Sequence, residues 1–208
     1  MPFIKSLNYS NIIAYTYKLS IGDSLIIHQN NHNTYFILEG ISVITKVFTN
    51  QEKFSTYIAN NKQILYTPFS KHTSNYFYQI EAISTVYILS FKSNKVELFK
   101  NLIDYQYDKI LVSYYYMIEL LIHKNIRQRL IHLLINLSEI LGEYKKTYIV
   151  LNLSLSYNII GSIIGANKNT ISKLIKELET YQLITYRKTQ IIIHDLVTLS
   201  KYKKNNKK

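Results

Sequence analysis

Five polar side chains lie on one face of the helical pattern that begins near residue 168, and each of them can donate hydrogen bonds. The five are Lys168, Asn169, Ser172, Lys173 and Lys176. Donors at helical spacing match the acceptor atoms that guanine and adenine present in the major groove of DNA, and a helix N-terminus attracts phosphate. No acidic residue precedes Glu177 in this stretch. The pattern therefore predicts a helix that contacts base edges with its N-terminal half.

Two short helical patterns joined by a tight turn place these donors, between residues 154 and 183. Ser156 is suited to cap the first helix, Gly165 to end it and Asn167 to cap the second. Gly161 supplies a small residue that lets the second helix cross the first closely. This order predicts a helix-turn-helix. The apolar positions predicted to face inward are Ile159, Ile160, Ile163, Ile164, Ile171, Leu174, Ile175 and Leu178.

A short basic hairpin is predicted after Leu183, because apolar residues at 184–186 and 191–193 flank a polar turn. We interpret this hairpin as a wing that places Arg187 and Lys188 along the sugar-phosphate backbone; the alternative is an ordinary solvated hairpin. The last eight residues, 201–208, include five lysines and are predicted to be disordered. This basic tail either adds salt-dependent DNA affinity or reflects the codon bias of an AT-rich genome.

Positive charge is concentrated near the C-terminal end of the 208-residue chain. The sequence has 25 basic and 13 acidic residues, a formal net charge of +12, and residues 151–208 contribute 10 and 3 of these. Such a gradient indicates that one end meets a polyanion, although an AT-rich genome also enriches lysine. The lack of cysteine excludes disulfides, thiolate zinc sites and cysteine nucleophiles. No apolar run reaches the roughly 20 residues that span a bilayer, which predicts a soluble protein with no membrane partner.

The N-terminal part of the chain, from about Ile12 to Phe91, consists of short apolar and aromatic segments separated by polar turns. Gly22 with Asp23, and Glu39 with Gly40, have the turn chemistry that separates strands. The segments predicted as strands include residues 24–27, 34–38, 42–45 and 86–89. We predict a compact antiparallel barrel or jelly roll.

A long helix is predicted to follow this barrel, because apolar residues recur at alternating spacings of 4 and 3. The residues of this seam are Ile103, Tyr107, Ile110, Tyr114, Met117 and Leu121. The seam either pairs with a second copy of the chain, as in a two-stranded coiled coil, or packs on the barrel of its own chain. A second amphipathic helix with apolar residues Ile126, Leu130, Leu133, Leu134, Leu137 and Leu141 is predicted to end at Gly142.

These elements predict four parts: a barrel at 1–98, a dimerisation helix at 99–123, a winged helix-turn-helix at 124–200 and the basic tail at 201–208. In this order they resemble the cyclic-AMP receptor and fumarate-nitrate regulator superfamily over nearly the whole chain. The likeness is strongest to the nitrogen regulators of cyanobacteria and to their homologues in red-algal plastid genomes. The residues that carry it are Tyr35, Phe36, Ile37, Leu38, Glu39 and Gly40; His123, Arg129 and Leu130; Leu155, Ser156, Ile164 and Gly165; Thr170 and Leu174; and residues 193–200.

The resemblance implies an α+β fold: an N-terminal β jelly-roll barrel like those that bind cyclic nucleotides, a long dimerisation helix and a C-terminal winged helix-turn-helix. It also implies a homodimeric regulator in the plastid stroma, with double-stranded DNA, a second copy and RNA polymerase as candidate partners. By resemblance, base contacts fall on Lys168, Asn169 and Lys173. Phosphate contacts fall on Ser156, Asn158, Asn167 and Thr170. The family usually has arginine at positions 168 and 173, and lysine lacks the planar fork that grips guanine.

The effector site departs further from the resemblance. In the nitrogen regulators 2-oxoglutarate is held by an arginine of the barrel and by an arginine and an acid of the long helix. Here these positions carry Asn75, Ile110 and Tyr115, so the charges are missing. Lys71 and Lys62 remain as substitutes. Burial of a dicarboxylate without ion pairs is costly, and we expect 2-oxoglutarate to bind weakly or not at all.

Other ligands and functions fit the sequence less well. A cyclic-nucleotide pocket would need a glycine and an arginine between residues 65 and 80, and neither is present. The candidate haem ligands His28, His32 and His72 are better explained as surface or turn residues. A barrel enzyme would need clustered acids, whereas Asp23, Glu39, Glu52, Glu81 and Glu97 are scattered, so no catalytic residue or metal site is predicted. A nonspecific architectural nucleic-acid-binding protein remains the alternative to a sequence-specific regulator.

Overall fold

The computed structural model of the chain describes residues 14–65, 67, 75–93 and 100–203, and for residues 100–106 it describes the backbone. Predictions that fall on Ile12, Lys71, His72, Glu97, the side chain of Ile103 and residues 204–208 lie outside this described part. Among the helices that are described, none is long and apolar enough to cross a membrane.

Eight strands form the N-terminal part as two four-stranded antiparallel sheets. The strands are β1 (Ala14–Leu19), β2 (Ser24–Ile27), β3 (Asn33–Glu39), β4 (Ser42–Phe48), β5 (Lys53–Ala59), β6 (Gln63–Leu65), β7 (Tyr76–Ala82) and β8 (Val86–Lys92). One sheet has the order β1-β8-β3-β6 and the other β2-β7-β4-β5. Two packed sheets with these crossovers form a jelly roll, which confirms the prediction.

The strands follow from alternating burial and from glycine turns. In β7 and β8, every second side chain lies in the core between the sheets, including Tyr78, Ile80, Val86 and Ile88. Gly40 joins β3 to β4 with a φ of 95°, and a Cβ at this position would collide with the Thr85 carbonyl oxygen. Only glycine fits both requirements, so the predicted turn is confirmed.

The long helix α1 (Lys100–Ile122) packs against its own barrel through part of the predicted seam. Ile110 and Met117 are buried in the single chain, at 5% and 3% exposure, and the Tyr114 ring lies 5.0 Å from the buried Tyr57 ring. Leu121 is half-buried. Ile110 and Met117 are therefore buried within their own chain, and the pairing of the seam with a second chain stays a prediction. These residues line the barrel side of the helix, which is the alternative that periodicity had left open.

A second apolar face of α1 lies exposed beside the face that packs on the barrel. Its residues are Tyr107, Leu111, Tyr115, Ile118 and Ile122, each with 50% to 71% of the side chain exposed. Their spacings of 4, 4, 3 and 4 keep them on one side of the helix. Tyr107 is the only residue of the predicted seam that the described side chains place on this face, which we call the outer stripe.

Helix α2 (Ile126–Leu141) begins the C-terminal part, with Asn125 as its N-cap. Gly142 ends it as predicted, but with an extended φ of −70° rather than a left-handed one. A Cβ at Gly142 would collide with the Ser138 carbonyl oxygen, so glycine is needed here for close approach. Two short strands that the sequence did not reveal follow, β9 (Glu143–Tyr144) and β10 (Ile149–Leu151).

The rest of the chain comprises α3 (Tyr157–Ile164), α4 (Lys168–Thr180), β11 (Ile184–Arg187), β12 (Gln190–Ile193) and α5 (Leu196–Lys201). We call this C-terminal part, from α2 onward, the reading head. It contacts the barrel directly: the Ser154 amide donates to the Ile83 carbonyl at 2.8 Å, and the Ser55 and Ser162 hydroxyls lie 3.0 Å apart. Barrel and reading head therefore form one continuous packed structure.

Candidate nucleic-acid interface

Helix α3 is short, and local hydrogen bonds fix both of its ends. The Ser156 hydroxyl oxygen accepts the Ile159 amide at 3.2 Å, which satisfies a free N–H of the first turn. Gly165 ends the helix in the left-handed region, with a φ of 70°. Both predicted boundaries are confirmed. The inward isoleucines Ile159, Ile160, Ile163 and Ile164 are buried.

Gly161 allows a close approach, but the neighbour differs from the predicted one. A Cβ at this position would collide with the carbonyl oxygen of Ala166, whereas the nearest atom of α4, on Ile171, would lie 3.8 Å away. The Ala166 amide also donates to the Gly161 carbonyl at 2.9 Å. Gly161 therefore accommodates the turn between the helices rather than the second helix itself.

Helix α4 presents its polar side chains to solvent because a single apolar stripe holds it. Ile171, Leu174, Ile175 and Leu178 are buried against the rest of the reading head, as predicted. The Asn167 side-chain oxygen accepts the Thr170 amide at 2.8 Å and caps the helix. On the opposite side Lys168, Asn169, Lys173 and Lys176 are exposed, and Ser172 is half-buried. The side chains predicted to donate hydrogen bonds therefore lie together on an accessible face of α4.

The two acidic residues of α4 are withdrawn from this surface. Arg127 of α2 binds the Glu177 carboxylate with two hydrogen bonds, at 2.8 and 3.2 Å, and both side chains are largely buried. Glu179 accepts the backbone amide of Tyr186 at 2.9 Å. In the described part of the chain, no cation among Lys168, Lys173 and Lys176 pairs with a carboxylate. The field of the exposed face is therefore positive and uncompensated.

The hairpin β11–β12 joins β10 and β9 in a four-stranded sheet of order β11-β12-β10-β9. Its turn follows the Arg187–Gln190 pair, and the exposed Arg187 and Lys188 project from this end. Tyr186 anchors the hairpin to the start of α3: its hydroxyl donates to the Leu155 carbonyl, and its ring lies 5.1 Å from the Tyr157 ring. Burial, with smaller contributions from Tyr157 and Glu179, raises the pKa of Tyr186 to about 12. The hairpin is confirmed, and its role as a DNA-binding wing stays a prediction.

The predicted contact residues fall into three neighbouring places. Ser156 and Asn158 lie in the first turn of α3, the residues from Asn167 to Lys173 lie in the first half of α4, and the cations of the wing follow Tyr186. The contacts of Tyr186 with Leu155 and Tyr157 bring the wing beside the start of α3. Thr170 is half-buried, and the others are exposed. Their individual roles toward DNA stay predictions.

The start of the predicted disordered tail is ordered. Lys201 is the last residue of α5, whose N-cap is Asp195. The Tyr202 hydroxyl donates to the Glu177 carboxylate at 3.0 Å, and its ring lies 5.2 Å from the Tyr181 ring. The prediction of disorder from residue 201 is therefore wrong for residues 201–203, because an aromatic side chain anchors them.

The three positions that replace the family's effector-binding charges do not face one another in a common polar site. Ile110 is buried between α1 and the barrel, whereas Tyr115 is 68% exposed on the outer stripe. Asn75 is exposed at the start of β7, and its carbonyl accepts the Thr49 amide. Lys62 is exposed in the turn before β6.

The remaining barrel candidates have structural surroundings. Asp23 caps a turn by accepting the Ser20 amide at 2.8 Å, and the His28 ring packs on Phe77 at 5.5 Å. His32 is exposed, and its carbonyl accepts the Ser93 amide. Within the described ranges, no cluster of three or more histidine, cysteine or acidic side chains is arranged to hold a metal ion.

The sequence analysis quoted Arg129 for the resemblance alone, and it missed the contacts by which Arg127 and Arg129 support α3 and α4. Arg127 holds Glu177, and Arg129 donates to the backbone carbonyls of His123 and Ile164 at 2.6 and 3.0 Å. Both lie at the start of α2, and their partners are 35 to 50 residues away or belong to the backbone. Besides the resemblance at Arg129, a further signal was that arginine recurs at 127 and 129 in a chain whose cations are otherwise mostly lysine.

Known proteins similar to this chain also contain a helix-turn-helix. Residues 128–202 match the Crp-like helix-turn-helix domain. The chain is 27% identical over 207 residues to the ycf28 protein of Porphyra purpurea, whose name describes an HTH-type transcriptional regulator, with 96% of this chain and 86% of that protein covered. The matched part is a Crp-like helix-turn-helix domain, and the chain as a whole is similar to regulators of the cyclic-AMP receptor and fumarate-nitrate regulator superfamily. This chain is thus a Crp-like transcription regulator with a DNA-binding helix-turn-helix.

Two further proteins show how far the likeness extends. The global nitrogen regulator of Nostoc sp. is 26% identical over 176 residues, which cover 80% of this chain and 79% of that protein. The structure of a CooA mutant from Carboxydothermus hydrogenoformans superposes with a TM-score of 0.70 at 21% identity, and covers 96% of this chain and 93% of that one. At this identity the structural likeness supports the fold, which agrees with the jelly roll, the long helix and the reading head.

Proposed function

We propose that this chain acts as a homodimer that binds palindromic promoter sites sequence-specifically and regulates transcription without catalysing a reaction. One observation carries the proposal: the N-terminal half of α4 exposes Lys168, Asn169 and Lys173, while Arg127 and Tyr186 hold the acids of α4 away from that surface. An acid-free, donor-rich helix start backed by a buried stripe is suited to base edges in the major groove.

Within this proposal each contact residue has a defined role. Lys168, Asn169 and Lys173 contact base edges, whereas Ser156, Asn158, Asn167 and Thr170 contact phosphates. The caps leave this possible, because Ser156 and Asn167 use an oxygen as acceptor and keep the hydroxyl proton and the amide N–H groups to donate. Arg187 and Lys188 lie along the sugar-phosphate backbone and supply sequence-independent attraction.

The outer stripe of α1 is the proposed dimer interface, in place of the seam predicted from periodicity. It exposes five large apolar side chains in a row, and monomeric proteins rarely leave such a row in water. Pairing of two copies along α1 would place two α4 helices in successive major grooves, about 34 Å apart, on a palindromic site.

We further propose a nitrogen-control-like role in the plastid stroma, with RNA polymerase as an additional partner if the regulator activates transcription. The similarity to the global nitrogen regulator of Nostoc sp. and to ycf28 of Porphyra purpurea supports this assignment. The proposed regulator has four parts: the barrel at 1–98, the dimerisation helix at 99–123, the DNA-binding winged helix-turn-helix at 124–200 and the tail at 201–208.

We propose that the chain does not use 2-oxoglutarate as a tight effector. Among the described residues, those between the barrel and α1 are uncharged: Tyr57 is fully buried against Tyr114, Ile110 is buried, and Gln63 donates to Ser113 at 3.4 Å. A dicarboxylate entering here would lose its hydration without gaining an ion pair. Isothermal titration calorimetry with 2-oxoglutarate tests this, and tight binding would overturn it.

A mobility-shift titration tests the main proposal, with the family's palindromic promoter sites and with random duplexes of equal length. We expect unlabelled palindrome to compete far better than random duplex, and Lys173→Ala to reduce that difference. Lys146→Ala is the matched control, because it removes an exposed lysine outside α4 and the wing. It should retain the difference. Equal competition by all sequences, with a salt dependence that accounts for the whole affinity, would instead indicate a nonspecific architectural protein.

A further inference from the structure

The Arg129 side chain joins the end of one helix to the end of another. Its Nε donates to the carbonyl oxygen of His123 at 2.6 Å, and its Nη1 donates to the carbonyl oxygen of Ile164 at 3.0 Å. His123 directly follows the last residue of α1, and Ile164 is the last residue of α3. A single guanidinium therefore bridges the C-terminal ends of α1 and α3.

The chemistry of these two ends favours a guanidinium. Carbonyl groups in the last turn of a helix lack partners within the helix and carry the negative end of its dipole. Arginine offers several N–H donors in a rigid plane, so it can satisfy two carbonyls at once, whereas the lysine ammonium is a compact point charge. Gly165 keeps the approach open, because a Cβ there would lie 3.3 Å from Arg129 Nη1.

The two ends that Arg129 joins have different tasks in the proposed dimer. Helix α1 carries the outer stripe, so its end is fixed relative to the second copy. The end of α3 leads through three residues, Gly165, Ala166 and Asn167, directly into α4. Any change in the distance between these ends would therefore move α4 relative to the dimer axis.

We infer that Arg129 is a positioning residue that sets the separation of the two recognition helices by bridging the end of α1 to the end of α3. The inference rests on the proposed dimeric DNA-binding function and adds the residue that fixes its geometry. The barrel contacts through Ser162 and Ser154 hold the reading head as well, but they attach it to the barrel and not to the helix that pairs.

Arg129→Lys tests this inference, because it keeps the positive charge and loses the bridge. Binding is measured to a palindrome of native spacing and to the same half-sites with one central base pair inserted, which turns one half-site by roughly a tenth of a helical turn. We expect the parent protein to discriminate strongly between them and R129K to lose about tenfold of that discrimination. Lys124→Gln, which removes an exposed charge between α1 and α2, should discriminate like the parent.

A second readout measures the geometry without DNA. The chain contains no cysteine, so Lys146→Cys gives a unique spin-label site on an exposed turn of the reading head. Electron-electron distance measurement across the dimer should give a narrow distribution in the otherwise unchanged protein and a broad one when R129K is added. If R129K does not fold, Gly165→Asn replaces it, since asparagine tolerates the left-handed conformation and places a side chain against the guanidinium.

The outcomes separate the inference from the proposed function. A parent protein that is monomeric, or that binds all duplexes equally, contradicts the proposed function. A dimeric, specific parent whose folded bridge-disrupting variant keeps the full spacing discrimination and a narrow distance distribution overturns the role of Arg129 alone. A variant that loses thermal stability but neither of these properties has shown a structural role only, which also overturns the inference.

Discussion

Helices α1 and α4 are both amphipathic, but they divide their surfaces differently. Helix α4 has one apolar stripe, Ile171 to Leu178, and a polar face opposite it. Helix α1 is apolar on two faces: Ile110, Met117 and Leu120 are buried within the chain, and the outer stripe from Tyr107 to Ile122 is exposed. The outward face of α4 is suited to water and nucleic acid, whereas the outward face of α1 is suited to another protein surface.

The largest expected effect comes from placing a charge on the outer stripe. In Ile118→Glu, two carboxylates would face each other across a symmetric interface, and we expect the protein to become monomeric. DNA affinity should then fall at least about a hundredfold. Each monomer would bind its half-site alone, without a linked second copy that binds the other half-site at high effective concentration.

Sedimentation analysis and mobility shifts measure both effects of Ile118→Glu. Lys124→Glu, which makes a larger charge change just beyond the end of α1, is the matched control and should stay dimeric. A dimeric I118E protein with parental DNA affinity would contradict the assignment of the outer stripe.

A substitution at Met117, next to Ile118 but buried, should lower the stability of the fold and leave the dimer intact. Met117→Ala removes a side chain that is 3% exposed, and we expect a loss of about 2–5 kcal/mol in the free energy of unfolding. At temperatures where M117A is folded it should remain dimeric. Urea denaturation and sedimentation on the same samples check this, and dissociation without destabilisation would restore the seam predicted from periodicity.

Local signals in the sequence were sufficient for the reading head. Ser156, Gly165 and Asn167 fix helix ends through bonds to residues at most four positions away, so their types predict their roles. Helix α1 lacks such signals. Two of its faces are apolar, and the one with regular 4-3 spacing includes residues that are buried within the chain. Which face is left to meet another chain depends on the barrel that packs against α1.

Features that depend on distant partners stayed hidden in the sequence. The bridge from Arg129 to Ile164 spans 35 positions and ends on a backbone carbonyl, which leaves no trace in residue type. Strand β9 is two residues long and forms only because β10 is beside it. Tyr202 was read as part of a lysine-rich tail, because nothing nearby in the sequence indicates its contact with Glu177.

Within the reading head, substitutions of base-contacting and of phosphate-contacting residues should change the salt dependence of DNA binding differently. Lys173→Ala should weaken binding to the palindrome by about 1–3 kcal/mol and reduce preference over random duplex. Lys188→Ala should weaken binding to all sequences alike and lower the slope of log K against log salt by about 1. Titrations at several salt concentrations measure both. If the two variants behaved identically, the division between helix and wing would be wrong.

The smallest expected effect concerns the junction where α1 meets α2. The His132 ring stacks on Tyr116 at 5.5 Å and lies 5.1 Å from the His123 ring, and its buried Nε2 has no hydrogen-bond partner in the described structure. Burial, and secondly His123, lower the pKa of His132, although Glu119 and Glu139 act in the opposite direction.

A lowered pKa in the folded state means that the unfolded chain binds the proton more tightly, so stability rises with pH through this range. The contribution of His132 is fully present above about pH 6.5 and is lost as the pH falls from there through the lower folded pKa. Urea denaturation between about pH 7 and pH 5 should show a smaller decline for His132→Phe, which keeps the stacking, than for the parent. Equal declines in H132F and the parent would show that protonation at this junction does not affect stability.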